Sequence, residues 1–295
     1  MKFAVVCASG IGDALLMQIA AAHLRKIGHD VVTFSSHLGS LHEWFPGFQF
    51  SLQPQLEKID SLFSHFDAIV LQHDNTPKAR RIRSLDKPVY TLYGAHLQSK
   101  HGPLRPDFDR CFDRSVCMAE NIRLACQTLF PAVAATKENG LVPPKNLQWR
   151  RFPKRIAIHP TSSAPEKNWL ETRFRSLSQK LTDQGYEPVF VVPPQEAADW
   201  NSPLFSSLGQ LASFLYESGG FIGNDSGPGH LASNLGLPTL ILGPSRAHLE
   251  LWRPGWAPGS IAFPAAEWKI IANNWQLFIT VNHVMQRFKK LSILK

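Results

Sequence analysis

Phe221–Pro238, FIGNDSGPGHLASNLGLP, is the stretch from which the fold is read. A short apolar run, Phe221-Ile222, leads into Asn224-Asp225-Ser226-Gly227. A small-residue helix pattern follows through His230, Leu231, Ala232 and Leu235. It stops at Gly236, and Pro238 opens a second apolar run, TLIL. The grammar is strand, tight turn, helix, strand, which predicts a parallel βαβ unit. The start of such a helix leaves backbone N–H groups without partners at the positive end of the macrodipole, a ready site for an anion. Ser226 adds a hydroxyl, and Gly227 and Gly229 leave the backbone uncovered. Asp and Ser are also ordinary N-caps, so these residues read equally as a turn.

The same grammar occurs at the N-terminus. Residues 2–8, KFAVVCA, read as a buried strand. SGIGDALL turns into a helix that Gly28 ends, and DVVTFSS is the next strand. DAIVLQH (67–73) and KPVYTLYG (87–94) predict further strands of the same sheet, and 107–135 carries a helical pattern. A break follows in ENGLVPPKNLQWRRFPKR, taken as a linker. RIAIHP, PVFVVPP and TLIL are then strands, 169–181 and 207–218 helices, and 273–290 a terminal helix. Two domains are expected, 1–150 and 151–272, with the helix 273–295 packing back on the first. Loops 9–13, 160–168 and 224–230 would lie at the carboxyl ends of strands, where doubly wound sheets bind ligands, and are expected to converge on one cleft.

The length of 295 residues suits two domains. A hydrophobic content of 44% with 18% charged residues suits a soluble globular chain with a real core. The net charge of +8 suggests an anionic partner. Nucleic acid is disfavoured, because no basic motif is interleaved with aromatic residues. Cys7, Cys111, Cys117 and Cys126 have no CxxC spacing, so neither a zinc site nor a disulfide framework is expected. No run is long enough to span a membrane, the N-terminus does not read as a secretory signal, and a cytoplasmic location is expected.

Three groups could carry chemistry. Gly10-Ile11-Gly12-Asp13 opens the first helix; it is not the dinucleotide fingerprint, because Leu15 stands where that motif needs a third glycine. Asp13 reads either as a dipole partner or as a general base. Thr161-Ser162-Ser163-Ala164-Pro165-Glu166-Lys167 offers hydroxyls and a cation beside a helix start; Lys167 in a first helical turn is unfavourable unless an anion such as a diphosphate lies between them. From Thr76 to Arg105 seven Lys/Arg, among them Arg80, Arg81 and Arg83, face one acid, Asp86. That is either a solvated face or a docking surface for an acidic molecule.

GIGDALL, HPTSSAPEKNW, and NDSGPGHLASNLGLP with the later LGPS together resemble glycosyltransferase family 9, the family of the ADP-heptose:lipopolysaccharide heptosyltransferases. FDAIVLQHDNTPKARRI is similar to a segment of the same family. The resemblance implies a GT-B fold, α/β, with two Rossmann-like domains whose parallel sheets face each other across a cleft. It implies an inverting, metal-independent transfer of a heptose-like sugar from a nucleoside-diphosphate donor, ADP-linked, with no cofactor. On this resemblance Asp13 matches the catalytic base and Lys167 assists the leaving group. Thr161, Ser162, Ser163, Asp225, Ser226, Gly227 and His230 match the donor site, and Glu196 matches a nucleoside contact. Gly12, Arg80, Arg81 and Arg83 fall to the acceptor side. The implied partners are the nucleotide-sugar and an acidic, lipopolysaccharide-type glycolipid met at the inner membrane surface, with the protein a monomer. Cys7 and Ile19 depart from the family's usual basic residue and proline, and RAHLELWRP after LGPS is longer than its usual turn. A GT-B-shaped epimerase or hydrolase, and a non-catalytic nucleotide-sugar-binding protein, are the alternative readings.

Overall fold

The computed structural model describes residues 1–162, 164–265 and 274–292. The chain divides into two compact units, Met1–Val142 and Pro143–Lys295. The division falls earlier than the expected 150/151 because the end of the linker is tied into the second unit. Arg150 N–H donates to Tyr216 O at 3.0 Å and Phe152 N–H to Glu217 O at 2.8 Å.

The first unit is built on a six-stranded parallel sheet of β1 (Lys2–Val6), β2 (Asp30–Phe34), β3 (Gln49–Ser51), β4 (Ala68–His73), β5 (Val89–Tyr93) and β6 (Asp109–Cys111), ordered β3-β2-β1-β4-β5-β6. Strand order reverses between β1 and β4, which pair from Phe3↔Ala68 to Val6↔Leu71. Side chains alternate across the sheet. Ile69 and Leu71 enter a buried cluster with Ala79 and Ile82 of the helix Pro77–Arg83. The opposite face takes the helices Ile11–Lys26 and Met118–Leu129; the His23 ring is bonded to Phe130 O at 2.9 Å and Phe3 meets Phe130 edge-on. Cys7, Cys117 and Cys126 are buried thiols and all four cysteines are free.

The second unit has a five-stranded parallel sheet of β7 (Phe152–His159), β8 (Glu187–Phe190), β9 (Ser218–Asn224), β10 (Thr239–Leu242) and β11 (Gly259–Ala262), ordered β11-β10-β9-β7-β8. Counted within the unit this is the 2-1-3-4-5 order, whose reversal lies between its first and third strands. β7 and β9 pair from Ile156↔Gly220 to His159↔Gly223, so the loops leaving both strands emerge side by side. Among the described residues the C-terminal segment, expected on the first unit, joins the core of this one; 273 and 293–295 of the expected helix lie outside the described residues. It forms two helices, Trp275–Phe278 and Val281–Ser292, and its Val284, Met285, Phe288 and Leu291 join a core with Trp169, Phe174 and Leu177. The Trp169 indole N–H donates to Ile279 O at 3.0 Å, and the Arg173 guanidinium bonds the carbonyls of Gln276, Leu277 and Ile279. Its capture follows from this apolar face. Among the described residues no helix is long and apolar enough to cross a membrane.

Candidate functional site

In the second unit Asn224 is the junction. It ends β9, is fully buried, and uses its whole amide. Its Oδ1 accepts from Trp169 N–H at 3.0 Å, and its Nδ2 donates to Pro160 O at 2.7 Å and to Asn168 Oδ1 at 3.4 Å. Ser162 Oγ lies 2.7 Å from Asn168 Oδ1 and 2.8 Å from Ala164 O, either of which can accept its one proton. The loop after β7 and the turn after β9 are thereby hydrogen-bonded to each other through Asn224. Thr161 is half-buried at its start, while Ser163 lies outside the described residues.

Asp225 follows, its side chain 12% exposed, and pairs with His248 Nε2 at 2.9 Å. Burial alone would raise its carboxyl, but the His248 hydrogen bond and the charges of His230, His248 and Lys167 outweigh that and hold it below the ordinary carboxylate range. Asp225 is therefore held towards its ionised form by His248, His230 and Lys167. His230 is buried on the helix Gly227–Asn234, edge-on to Trp256 at 6.4 Å.

Three local readings change. Lys167 is exposed and closes a short 3-10 turn, Pro165–Lys167; the helix starts only at Glu171, after an extended Asn168–Leu170. It is thus a loop cation and not a first-turn lysine. The helix start at Ser226 offers fewer donors than a generic one, because Pro228 has no N–H and Gly229 N–H turns back to Ser226 O at 3.1 Å. Gly227 opens the helix with Ser226 as its N-cap, and the Ser226 hydroxyl itself donates to Asn224 O at 3.2 Å. Gly229 packs closely against β10: a Cβ there would stand 2.7 Å from Ile241 Cδ1, which would have to shift.

Glu196 ends the 3-10 turn Pro194–Glu196 beyond β8. Its Oε2 is buried and accepts no hydrogen bond among the described residues, and its charge acts on the buried His159. A buried carboxylate oxygen without a donor is costly unless a ligand supplies one.

In the first unit Asp13 occupies the third position of the helix Ile11–Lys26, the place a capping carboxylate takes. Its Oδ1 accepts from Gln72 Nε2 at 2.6 Å, and Gln72 Oε1 accepts from Ala8 N–H at 3.0 Å. Gln72, at the end of β4, spans the switch point between β1 and β4 and fixes the carboxylate. A Cβ on Gly10 would stand 2.5 Å from Asp13 Oδ2. The buried Cys7 thiol is pushed up by burial first and then by the Asp13 charge. Gly12 is buried at the second helical position.

The three arginines do not act alike. Arg81 forms a two-point ion pair with Asp60, and Arg83 binds Asp109 at 3.1 Å. Arg80 makes no ion pair among the described residues; its Nη1 donates to Asn75 O at 2.9 Å. Among the described residues no group of three His, Cys, Asp or Glu is arranged to hold a metal.

His248, Asn224 and Gln72 went unread in the sequence. Asn224 and Gln72 could have been found as polar side chains at the ends of apolar strand runs. His248 had no such signal, since its partner is 23 residues away.

Two doubly wound α/β units, each with polar loops at the carboxyl ends of its switch-point strands, define the class of fold. Residues 144–254 match the family described as glycosyltransferase family 9 (heptosyltransferase), so the family that the motifs resemble is the family the match finds. The fold is similar to that of the glycosyl transferase family 9 structure from Veillonella parvula DSM 2008, at TM-score 0.74 and 17% identity over 100% of this chain and 98% of that one. It is also similar to E. coli ADP-heptose lps heptosyltransferase II, at TM-score 0.68 and 16% identity over 99% of each chain. E. coli heptosyltransferase WaaC with ADP aligns at TM-score 0.67 and 15% identity over 99% of this chain and 100% of that one. No curated protein matches the chain. Family match and neighbours together support a glycosyltransferase of GT-B-like fold. The match covers Thr161, Lys167, Glu196, Asp225, His230 and His248, and leaves Asp13 and Arg80 outside it.

Proposed function

We propose that the chain moves a heptose-like sugar from an ADP-linked donor to an acidic, lipopolysaccharide-type acceptor, with inversion at the anomeric carbon and no metal. The observation that carries this reading is the surface tied together by Asn224, on which Asp225 is held towards its ionised form by His248, His230 and Lys167. The similar heptosyltransferases are named for ADP-heptose and lipopolysaccharide, or were solved with ADP.

In this mechanism the second unit binds the donor. Lys167, Thr161, the Ser162 loop and the helix start at Ser226-Gly227 meet the diphosphate, Asp225 holds sugar hydroxyls and Glu196 accepts from the nucleoside. Asp13 of the first unit takes the proton of the acceptor hydroxyl. The oxygen attacks the anomeric carbon from the face opposite the diphosphate, the C–O bond to the diphosphate breaks, and the leaving ADP carries away the electron pair. Lys167 stabilises the charge that develops on it. The chain would act as a cytoplasmic monomer at the membrane surface.

The test is Asp13→Asn. Transfer from ADP-heptose should fall by at least about a hundredfold, as loss of a general base typically costs, while calorimetry shows ADP bound as in the parent chain. Full activity would remove Asp13 as the base. Donor incubated without acceptor should remain intact; rapid turnover would favour the epimerase or hydrolase reading instead.

A further inference from the structure

A second polar site lies in the first unit, on the opposite face of β4 from Asp13. A cavity of about 220 Å³ is lined by His73, Arg80, Arg83, Ser84, Lys100 and His101. Its walls come from the end of β4, the helix Pro77–Arg83 and the short helix Gln98–His101. Arg83 is matched by the buried Asp109, which Arg105 also binds at 2.8 Å. Arg80 and Lys100 are in no ion pair among the described residues, so the cavity keeps an excess of positive charge. Arg83 Nε is buried there with no hydrogen-bond partner among the described residues. The same guanidinium acts on the buried Tyr93 hydroxyl, so the charge the cavity offers a ligand is that of Arg80 and Lys100.

One residue organises the walls. Asn75 has a left-handed backbone, φ 63°. Its N–H donates to His73 Nδ1 at 3.3 Å, its carbonyl accepts from Arg80, and its side-chain oxygen is bonded to His101 Nε2. Leu97 N–H donates to His101 Nδ1 at 2.9 Å. The two imidazoles are thereby fixed as Nε2–H tautomers. Burial first, and then the neighbouring histidine and cations, lower both, so they stay neutral at pH 7. Asp74, the acid nearest in sequence, accepts from Thr76 N–H and hydroxyl at 3.1 and 2.6 Å, and its charge raises His73 against the larger lowering by burial and His101. His73 packs on Tyr93 and His101, with ring centroids 5.0 and 5.1 Å away, and its Nε2–H remains a donor.

We propose that this cavity is an oxyanion subsite that receives a phosphate monoester group of the acceptor. A guanidinium fork, a point ammonium and an imidazole N–H approach from three elements, which suits a tetrahedral oxyanion better than a flat carboxylate. The subsite adjoins the proposed base. Gln72, which holds Asp13, and His73, which lines the cavity, are consecutive residues of β4 on opposite faces of the sheet. An acceptor lying across the end of that strand reaches both. The identity of the molecule bearing the phosphate rests on the transferase reading; the subsite itself does not.

The experiment uses the full chain with saturating ADP, so that phosphate-binding groups of the second unit are occupied. Inorganic sulfate and methyl phosphate are titrated while the histidine ring protons are followed by NMR and affinity by calorimetry. The His73 ring resonance should shift saturably. Arg80→Gln/Lys100→Gln should weaken sulfate by at least about tenfold, the loss of roughly 1.4 kcal/mol, while Arg81→Gln leaves it unchanged and all variants bind ADP normally. Methyl phosphate should bind more tightly than acetate. Sulfate affinity unchanged in the double variant, or no His73 response in the parent chain, overturns the subsite; tighter binding of acetate overturns the phosphate assignment. Failure to bind ADP overturns the donor reading and leaves the sulfate result standing by itself.

Discussion

Gly10 and Asn224 show how much depends on side chains that carry no charge. At position 10 any Cβ collides with Asp13 Oδ2, and Asp13 has little room to yield because Gln72 holds its other oxygen at 2.6 Å. Gly10→Ala should therefore leave ADP binding intact and lower transfer by up to about a hundredfold, the effect of misplacing a reacting group by an ångström; steady-state kinetics check it. The Asp225–His248 pair gives a pH dependence. Asp225 is held below its ordinary value in the folded chain, so its contribution to stability is present above the ordinary carboxylate range and is lost as pH falls through the lowered value. His248→Ala removes the hydrogen bond that lowers it. The acid-unfolding midpoint, followed by circular dichroism, should move to higher pH. The carboxylates themselves were legible in the sequence, since Asp13 stands at a helix start and Asp225 at a strand end. The neutral residues that hold their surroundings were not, because Asn224 and Gln72 look like strand termini until the second strand or loop is brought beside them.

Elements were read best where burial makes them apolar. KFAVV, AIVLQH and TLIL are strands covered on both faces, and such strands announce themselves. The edge segments QFS, DRC and GSIA have three or four residues and no apolar run, so β3, β6 and β11 went unread. Strand order is a matter of distant pairing. Nothing in the local pattern distinguishes the 3-2-1-4-5-6 order of the first unit from the 2-1-3-4-5 order of the second. The loop containing Lys167 was misread because PEKNW resembles a helix start, whereas Asn168–Leu170 must run extended for Trp169 N–H to reach Asn224. That junction can be weighed. Asn224→Ala leaves the Trp169 N–H and Pro160 O without their partner, at a cost of about 1–3 kcal/mol for each buried group. Urea unfolding should show the loss, and ADP affinity should fall with it.

Across the whole molecule the positive surplus is uneven. The first unit carries 15 basic and 13 acidic residues, the second 16 and 10. Most of the excess thus lies in the unit assigned the nucleotide diphosphate, and the first unit depends on a local concentration of charge around Arg80 and Lys100. Hydrogen exchange can separate the two. ADP should slow exchange at 160–168 and 224–236 and leave 73–84 and 96–101 unchanged, whereas sulfate added afterwards should slow the latter. The pleat of β4 has a consequence for sequence change. Gln72 and His73 serve opposite faces only because they are one residue apart. Deleting a single residue within 68–71 would turn His73 towards Asp13 and Gln72 towards the cavity. Insertions and deletions in that strand should therefore be purged even where an exchange of one buried aliphatic side chain for another is tolerated.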